Sequence, residues 1–202
     1  MTSLLQLALD ITDKHKAFKI AKECSPYVDI IEAGTPMIKA YGIKVVRELK
    51  RLGLPVAADL KTFDAGSLEA KMACESGADY ATVLALASEA TIQGFVEVCR
   101  SYGVKVVADL MNAPLRRARL LIRLDYIAVH AGIDEQKKGG SPIDSLIKLR
   151  RLRSPLVVAG GINESNIALV KEHAEIIVVG SAITKSRHPG LVAKRLKELI
   201  RS

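Results

Sequence analysis

The sequence predicts an α/β fold in which residues 1–202 form a single (β/α)8 TIM barrel domain. Short apolar runs rich in β-branched residues recur at intervals of roughly 20 to 30 residues, and segments with helical periodicity separate them. Strands that alternate with helices form right-handed βαβ units around a parallel sheet, and eight such units close a barrel. No linker, low-complexity tract or second domain is apparent in the sequence.

The eight predicted strands are apolar runs that end at polar residues or glycines. Turn signals such as Pro55 and Pro155 stand at the beginnings of strands. In chain order the predicted strands are LLQLALD (4–10), VDIIEAG (28–34), PVAADLK (55–61), YATVLAL (80–86), VKVVADL (104–110), YIAVHAG (126–132), PLVVAGG (155–161) and EIIVVGSA (175–182).

The segments between the strands have the periodicity of amphipathic helices. Residues 36–53 place four apolar side chains near one face and end at Gly53, so the sequence predicts one helix there. The segments 67–78 and 88–103 also reach a glycine at or near their ends. Strand and helix are expected to alternate without exception.

A net charge of +8 raises the question of a nucleic-acid partner. The basic clusters RRARLLIR (116–123) and KLRRLR (148–153) alternate with Leu and Ile at helical spacing, which favours solvent-facing sides of amphipathic helices. No nucleic-acid motif is present, and we expect no nucleic-acid partner. A basic surface also suits an anionic, phosphorylated substrate.

The chain is expected to be cytoplasmic and to have no membrane partner. No apolar run approaches the roughly 20 residues that span a bilayer. The beginning MTSLLQLALD has no basic segment of the kind that opens a signal peptide. Cys24, Cys74 and Cys99 have neither a metal-binding spacing nor a disulfide pattern, which is typical of a reducing compartment.

Polar residues and glycines gather at the predicted carboxyl ends of the strands, where barrel enzymes carry their active sites. Because side chains alternate along a strand, Asp59 and Lys61 share a face directed to the barrel axis, and Leu60 points to the helices. The residues at the strand ends are Asp10, Glu32, Asp59, Lys61, Asp109, His130, Gly160, Gly161, Gly180 and Ser181.

Three acids come from the first three strands, which are neighbours in a barrel. Asp10, Glu32 and Asp59 at one point need a counter-charge, which Lys61 and a divalent hard cation such as Mg2+ would provide. The alternative is a buried network of ion pairs without a metal.

The basic residues and glycines at the carboxyl ends of the strands also have functional interpretations. Carboxylates stand two positions before Lys61 and three positions after it, which favours the charged ammonium. Lys61 is therefore expected to act as a fixed cation and not to form an imine. The alternative is a simple salt bridge at the strand end. His130 is a candidate for proton transfer or a satisfied core residue. The glycines of 159–163 and 179–183 form a phosphate site or two tight turns.

Ordered motifs in this sequence resemble one known family. The series LALD, IIEAGTP, ADLKTFDAG, VHAGIDEQ, VAGGI and VGSAI is similar to the 3-hexulose-6-phosphate synthase family of the orotidine 5′-monophosphate decarboxylase suprafamily. The motif D-x-K-x-x-D, formed by Asp59, Lys61 and Asp64, marks the suprafamily. The resemblance runs from residue 5 to about residue 200.

The resemblance implies an aldolase that reversibly condenses formaldehyde with D-ribulose 5-phosphate to D-arabino-hex-3-ulose 6-phosphate. It implies Mg2+ as the cofactor, held by Glu32 and Asp59 and acting as a Lewis acid on the enediolate oxygens of the sugar. It also implies that Lys61 lies beside the developing charge and that His130 transfers a proton.

The resemblance further implies how the substrate and a second subunit are bound. Asp10 would bind substrate hydroxyls, while Gly161, Gly180 and Ser181 would hold the phosphate. Asp64 matches an aspartate that the suprafamily directs into the site of the partner subunit, which implies a homodimer with shared active sites.

Three alternative functions are considered. In 3-keto-L-gulonate-6-phosphate decarboxylase an arginine closely follows the histidine of the sixth strand, but HAGIDEQ has none. Orotidine 5′-monophosphate decarboxylase usually has a lysine just before the D-x-K-x-x-D motif, where VAADLK has alanine. A basic binding protein without catalytic activity is the third alternative. The segment 109–126 is shorter and more basic than expected of the family.

Overall fold

The computed structural model describes residues 2–152 and 154–202 and contains a closed barrel of parallel strands. The strands pair in chain order, and the last pairs with the first. This confirms the predicted fold class, and all eight predicted strands form. They are β1 (Leu4–Leu9), β2 (Ile30–Ala33), β3 (Val56–Thr62), β4 (Tyr80–Leu84), β5 (Lys105–Asp109), β6 (Tyr126–His130), β7 (Leu156–Ala159) and β8 (Ile176–Val179).

Helices surround the barrel. The α-helices are α1 (Lys14–Cys24), α2 (Thr35–Tyr41), α3 (Lys44–Lys50), α4 (Gly66–Glu75), α5 (Glu89–Ser101), α6 (Ile133–Lys137), α7 (Ile143–Leu149), α8 (Ser181–Thr184) and α9 (Pro189–Arg201). Within the described ranges, no helix combines the length and the apolar character needed to cross a membrane.

The prediction of one helix over 36–53 is wrong, because α2 and α3 divide this segment. Gly42 lies between them with φ 75° and ψ 170°, a conformation that cannot continue a helix. The amide of Gly42 donates to the carbonyl of Ile38 and closes the last turn of α2. Apolar residues keep helical spacing on both sides of the break, so periodicity alone did not reveal it.

Strand and helix do not alternate without exception. Among the described residues, β5 and β6 are joined by a 3-10 helix, Leu115–Leu120, and β7 and β8 by another, Ile167–Leu169. The cluster 116–123 is therefore not the face of an α-helix. Arg117 is half-buried, and its Nε donates to the carbonyl of Ala85 at 2.8 Å. This arginine satisfies a backbone group of the loop after β4 instead of facing solvent.

The second basic cluster, 148–153, also departs from a single amphipathic helix. It contains the end of α7 and a 3-10 helix, Arg150–Leu152. Arg153 lies outside the described residues.

Two apolar layers hold the barrel together. The larger layer lies between the strands and the helices and includes all three cysteines. Burial raises the pKa of the Cys24 thiol to about 12 and also raises the pKa values of Cys74 and Cys99. The smaller layer fills the barrel interior, where Ala8 and Ala159 near the carboxyl ends leave space for a cavity.

A glycine at the beginning of α4 allows this helix to lie against α5. A Cβ atom on Gly66 would lie 2.0 Å from the carbonyl oxygen of Thr91, a rigid backbone atom. A Cβ atom on Gly94 would lie 2.5 Å from Oγ of Ser67, which can rotate away. We expect Gly66→Ala to lower the free energy of unfolding by about 1–3 kcal/mol.

The matched variant Gly94→Ala should change the free energy of unfolding by less than about 1 kcal/mol, because alanine also favours a helix interior. Urea denaturation of both variants and the parent chain measures the difference. Equal destabilisation by the two substitutions would contradict the assigned role of Gly66.

Candidate active site

The carboxyl ends of the strands surround a cavity of about 530 Å3. This volume is in the range of small-molecule sites. The cavity brings together eight of the nine predicted site residues, namely Asp10, Glu32, Asp59, Lys61, His130, Gly161, Gly180 and Ser181. The ninth, Asp64, is exposed and is not part of the cavity wall; its Oδ1 accepts a hydrogen bond from the amide of Ala65.

Asp59 is the most heavily bonded acid of the site and is only 3% exposed. Its Oδ1 accepts a hydrogen bond from Thr82 Oγ1 at 2.9 Å, and its Oδ2 accepts one from Thr35 Oγ1 at 2.8 Å. Oδ2 also accepts from the ammonium of Lys61. Three of roughly four acceptor positions on the carboxylate are thereby used, which leaves one for a ligand.

Lys61 reaches the cavity through an unusual backbone conformation. Its φ is 49°, in the left-handed region that non-glycine residues seldom adopt. The pairing of β3 with β4 shifts register between Ala58 and Thr62, and the amide of Lys61 donates to Thr82 Oγ1 at 2.9 Å. Thr82 therefore supports both the Lys61 backbone and the Asp59 carboxylate. Backbone strain of this kind is typical of functional sites.

The ammonium of Lys61 lies between two carboxylates. Besides its bond to Asp59, its Nζ is 3.6 Å from Oδ2 of Asp109. Burial alone would lower the pKa of Lys61, but the charges of Asp59, Asp109 and Glu32 outweigh burial and raise the pKa above its ordinary value. Lys61 therefore carries a positive charge at neutral pH and is a poor imine former.

Burial and mutual repulsion disfavour the charged forms of Glu32 and Asp10. Burial raises the pKa of Glu32 well above its ordinary value, and the neighbouring carboxylates of Asp59 and Asp10 raise it further. Burial and then Asp59 also raise the pKa of Asp10. Oε2 of Glu32 accepts a hydrogen bond from Gln6 Nε2 at 2.6 Å. The site thus holds more acid than Lys61 can neutralise, which favours a bound cation.

The donor set is compatible with Mg2+. Glu32 and Asp59 provide hard oxygen ligands beside the cavity, and each has acceptor capacity beyond its hydrogen bonds. Within residues 2–152 and 154–202, no group of three or more His, Cys, Asp or Glu side chains could hold a metal by itself. Protein sites for Mg2+ commonly provide one or two carboxylates and leave the other positions to water and substrate oxygens.

Asp109 connects Lys61 to His130. Its Oδ2 lies 2.9 Å from Nδ1 of His130, and its Oδ1 accepts a hydrogen bond from the amide of Met111 at 2.9 Å. Burial alone would raise the pKa of Asp109, but the hydrogen bond and charge of His130 and the charge of Lys61 lower it overall. A carboxylate at Nδ1 orients the imidazole and leaves Nε2 to exchange a proton.

Two glycine turns, after β7 and β8, form another part of the cavity wall. Gly160 and Gly161 have φ values of 105° and 72°, which other residues rarely adopt. A Cβ atom on Gly160 would also lie 2.3 Å from the carbonyl oxygen of Ala131. Gly180 follows β8 directly, and Ser181 begins α8. The absence of side chains at these glycines lets backbone amides approach a ligand.

Several residues of this site were not identified from the sequence. Asp109 was recognised only as a strand end, because its contact with His130 depends on the pairing of β5 with β6. Thr35 and Thr82 carry no motif of their own. Gln6 could have been identified from the sequence, because it is the one polar residue in the strand LLQLAL.

Comparisons with known proteins point to one group of enzymes. A family model described as Orotidine 5'-phosphate decarboxylase / HUMPS family matches residues 3–196. The chain is 38% identical to 3-hexulose-6-phosphate synthase of Mycobacterium gastri, over 97% of this chain and 99% of that protein.

Solved structures give a consistent result. A crystal structure of 3-hexulose-6-phosphate synthase superimposes with a TM-score of 0.92, at 38% identity over 97% of this chain and 99% of the other. The 3-keto-L-gulonate-6-phosphate decarboxylase of Vibrio cholerae gives a TM-score of 0.87, at 27% identity over 100% of this chain and 98% of the other.

The lowered pKa of Asp109 predicts a pH-dependent contribution to stability. Its carboxylate is favoured in the folded state, so its contribution is present above the ordinary pKa of 3.8 and is lost as pH falls through and below that value. We expect Asp109→Asn to lower the free energy of unfolding at pH 7 by about 1.5–3 kcal/mol. Denaturation at pH 7 and near pH 3 checks this, and a pH-independent difference would contradict it.

Proposed function

Because this chain belongs to the Orotidine 5'-phosphate decarboxylase / HUMPS family and is an enzyme of the 3-hexulose-6-phosphate synthase type, we propose that it reversibly condenses formaldehyde with D-ribulose 5-phosphate. The product is D-arabino-hex-3-ulose 6-phosphate. The observation that carries the proposal is the continuous series of contacts from Asp59 through Lys61 and Asp109 to His130. This series combines a permanent cation with an oriented proton carrier.

The proposal gives the sugar phosphate one orientation in the cavity. The phosphate lies at the glycine turns, where the amides of Gly161 and Gly180 and the hydroxyl of Ser181 are available as donors. The carbonyl end then lies near Lys61, and Asp10 accepts hydrogen bonds from substrate hydroxyls. Asp10 stands beside this site, since a Cβ atom on Gly180 would lie 3.8 Å from its Oδ2. The orientation is therefore supported by the amides of the glycine turns and not by charge repulsion.

The reaction requires a base and a cation. His130 removes a proton from C1 of ribulose 5-phosphate, and the electron pair moves toward the C2 oxygen to give an enediolate. Lys61 stabilises the negative charge on the oxygens. C1 then attacks the formaldehyde carbon and the C2 carbonyl re-forms. One carbon–carbon bond forms, the π electron pair of formaldehyde moves to its oxygen, and this oxygen takes up the proton that His130 removed. Lys61 forms no covalent bond, as expected from its raised pKa.

Mg2+ is part of the proposal, with Glu32 and Asp59 as its protein ligands. The excess of carboxylates around Lys61 supports this assignment. When bound, the ion supplies a Lewis acid for the sugar oxygens. Thr35 and Thr82 hold the Asp59 carboxylate in a fixed orientation beside the cavity.

A homodimer with shared active sites is also proposed. Asp64 lies outside the cavity of its own chain, next to Phe63, whose side chain is 60% exposed. Leu68 and Met72, one turn apart on α4, are also exposed. Apolar side chains of this kind around an acidic residue support a subunit contact that would bring Asp64 to the neighbouring site.

A cytoplasmic location is also part of the proposal. It is supported by the three free thiols.

The aldolase is favoured over 3-keto-L-gulonate-6-phosphate decarboxylase. Identity to the synthase is 38%, against 27% to the Vibrio cholerae decarboxylase. The stretch of seven residues from His130 to Gln136 contains no arginine. The first observation concerns the whole chain, and the second concerns the residues that follow β6.

The proposed reaction predicts formaldehyde-dependent consumption of ribulose 5-phosphate that needs Mg2+ and stops with EDTA. We expect Asp59→Ala to reduce kcat/KM at least about 10³-fold, because the variant loses a metal ligand and the partner of Lys61. Asp144→Ala, which removes an exposed carboxylate on α7, is the matched control.

Circular dichroism spectra of both variants establish that they are folded. Near-normal turnover by Asp59→Ala would contradict the metal assignment. No turnover by folded, Mg2+-loaded parent protein would overturn the aldolase proposal, and release of carbon dioxide from 3-keto-L-gulonate 6-phosphate would then be measured.

Shared active sites predict complementation between two inactive variants. Lys61→Ala and Asp64→Ala should each lose activity as homodimers. A heterodimer of the two contains one site with both residues intact, so randomly mixed dimers should regain roughly a quarter of the parent activity. Co-expression followed by assay and analytical ultracentrifugation tests this. A monomeric chain, or dimers without recovered activity, would contradict the shared site.

A further inference from the structure

Gln136 is a polar residue of the cavity wall that the proposed reaction does not yet use. It lies on α6, is half-buried, and borders the cavity together with His130 and Gly161. Its Nε2 donates a hydrogen bond to the carbonyl oxygen of Ala131 at 2.7 Å. Because a carbonyl oxygen only accepts hydrogen bonds, this contact fixes the orientation of the amide and directs Oε1 away from Ala131.

Oε1 of Gln136 lies beside the first glycine turn. A Cβ atom on Gly161 would lie 3.8 Å from this oxygen. Across residues 2–152 and 154–202, no donor forms a hydrogen bond with it, whereas Nε2 of the same amide is bonded. The cavity therefore contains an oriented, neutral acceptor next to the turn that we assign to the phosphate.

The backbone holds this acceptor at a fixed position relative to the turn. The amide of Ala131 donates to the carbonyl of Ala159 at 3.1 Å, and Gly160 packs directly against the carbonyl oxygen of Ala131. Ala131 thus contacts both the Gln136 amide and the backbone before Gly161. A side chain whose position is fixed in this way can distinguish substrates by the positions of their hydroxyl groups.

We propose that Oε1 of Gln136 accepts a hydrogen bond from the C4 hydroxyl of ribulose 5-phosphate and makes Gln136 a specificity-determining residue. This inference rests on the proposed function. Phosphate oxygens that lack protons cannot donate to Oε1, so the acceptor selects a hydroxyl. C4 carries the hydroxyl nearest the phosphate along the sugar chain, and Oε1 lies at the phosphate end of the cavity.

The test compares ribulose 5-phosphate with its 4-deoxy analogue in the parent enzyme and in Gln136→Leu. The parent should have about tenfold lower kcat/KM for the deoxy analogue, because one hydrogen bond is lost and an acceptor is left unpaired. Gln136→Leu should discriminate less than about twofold. Lys138→Ala, an exposed neighbour at the end of α6, is the control and should discriminate like the parent.

Different results would overturn the role of Gln136 and the proposed aldol reaction. Equal use of both sugars by the parent, or parent-like discrimination by Gln136→Leu, would overturn the role of Gln136 and leave the aldolase intact. No turnover of ribulose 5-phosphate by the parent would overturn both. Gln136→Met, which is closer in shape, gives the same comparison if the leucine variant does not fold.

Discussion

The position of the Lys61 ammonium between Asp59 and Asp109 is the constraint on which the site depends. Barrel closure brings acids from β2, β3 and β5 to one opening, where their mutual repulsion would be large without a cation. Thr82 supports this arrangement from β4. Asp109, one of the two carboxylates beside Lys61, also orients His130, so it couples the position of the cation to that of the imidazole.

This arrangement serves the chemistry of the site but lowers the stability of the fold. Buried ion pairs seldom stabilise a protein more than apolar packing would, and the raised pKa values of Glu32 and Asp10 show that charging these groups in the folded state is unfavourable. The left-handed backbone of Lys61 adds strain at the same place. The apolar layer between strands and helices carries the fold, which allows the opening to remain strained and charged.

Much of the fold and part of the site follow from the sequence. Apolar runs of β-branched residues determine the strands because each strand is buried on both faces, and the ends of these runs locate Asp10, Glu32, Asp59 and His130. Contacts that depend on strand register, such as Asp109 with His130, cannot be derived from local pattern. The break at Gly42 and the 3-10 connection at Leu115–Leu120 were missed because helical spacing persists through both segments. The metal, Asp64 and dimer assignments stay predictions.

The burial of Cys24, Cys74 and Cys99 has a consequence for chemical durability. A thiolate, not a thiol, is the strong nucleophile, and raised pKa values keep these three side chains protonated. An enzyme that handles formaldehyde, as proposed, meets a small electrophile at every turnover. Packed between strands and helices and outside the cavity wall, these three thiols are shielded from reaction with that electrophile.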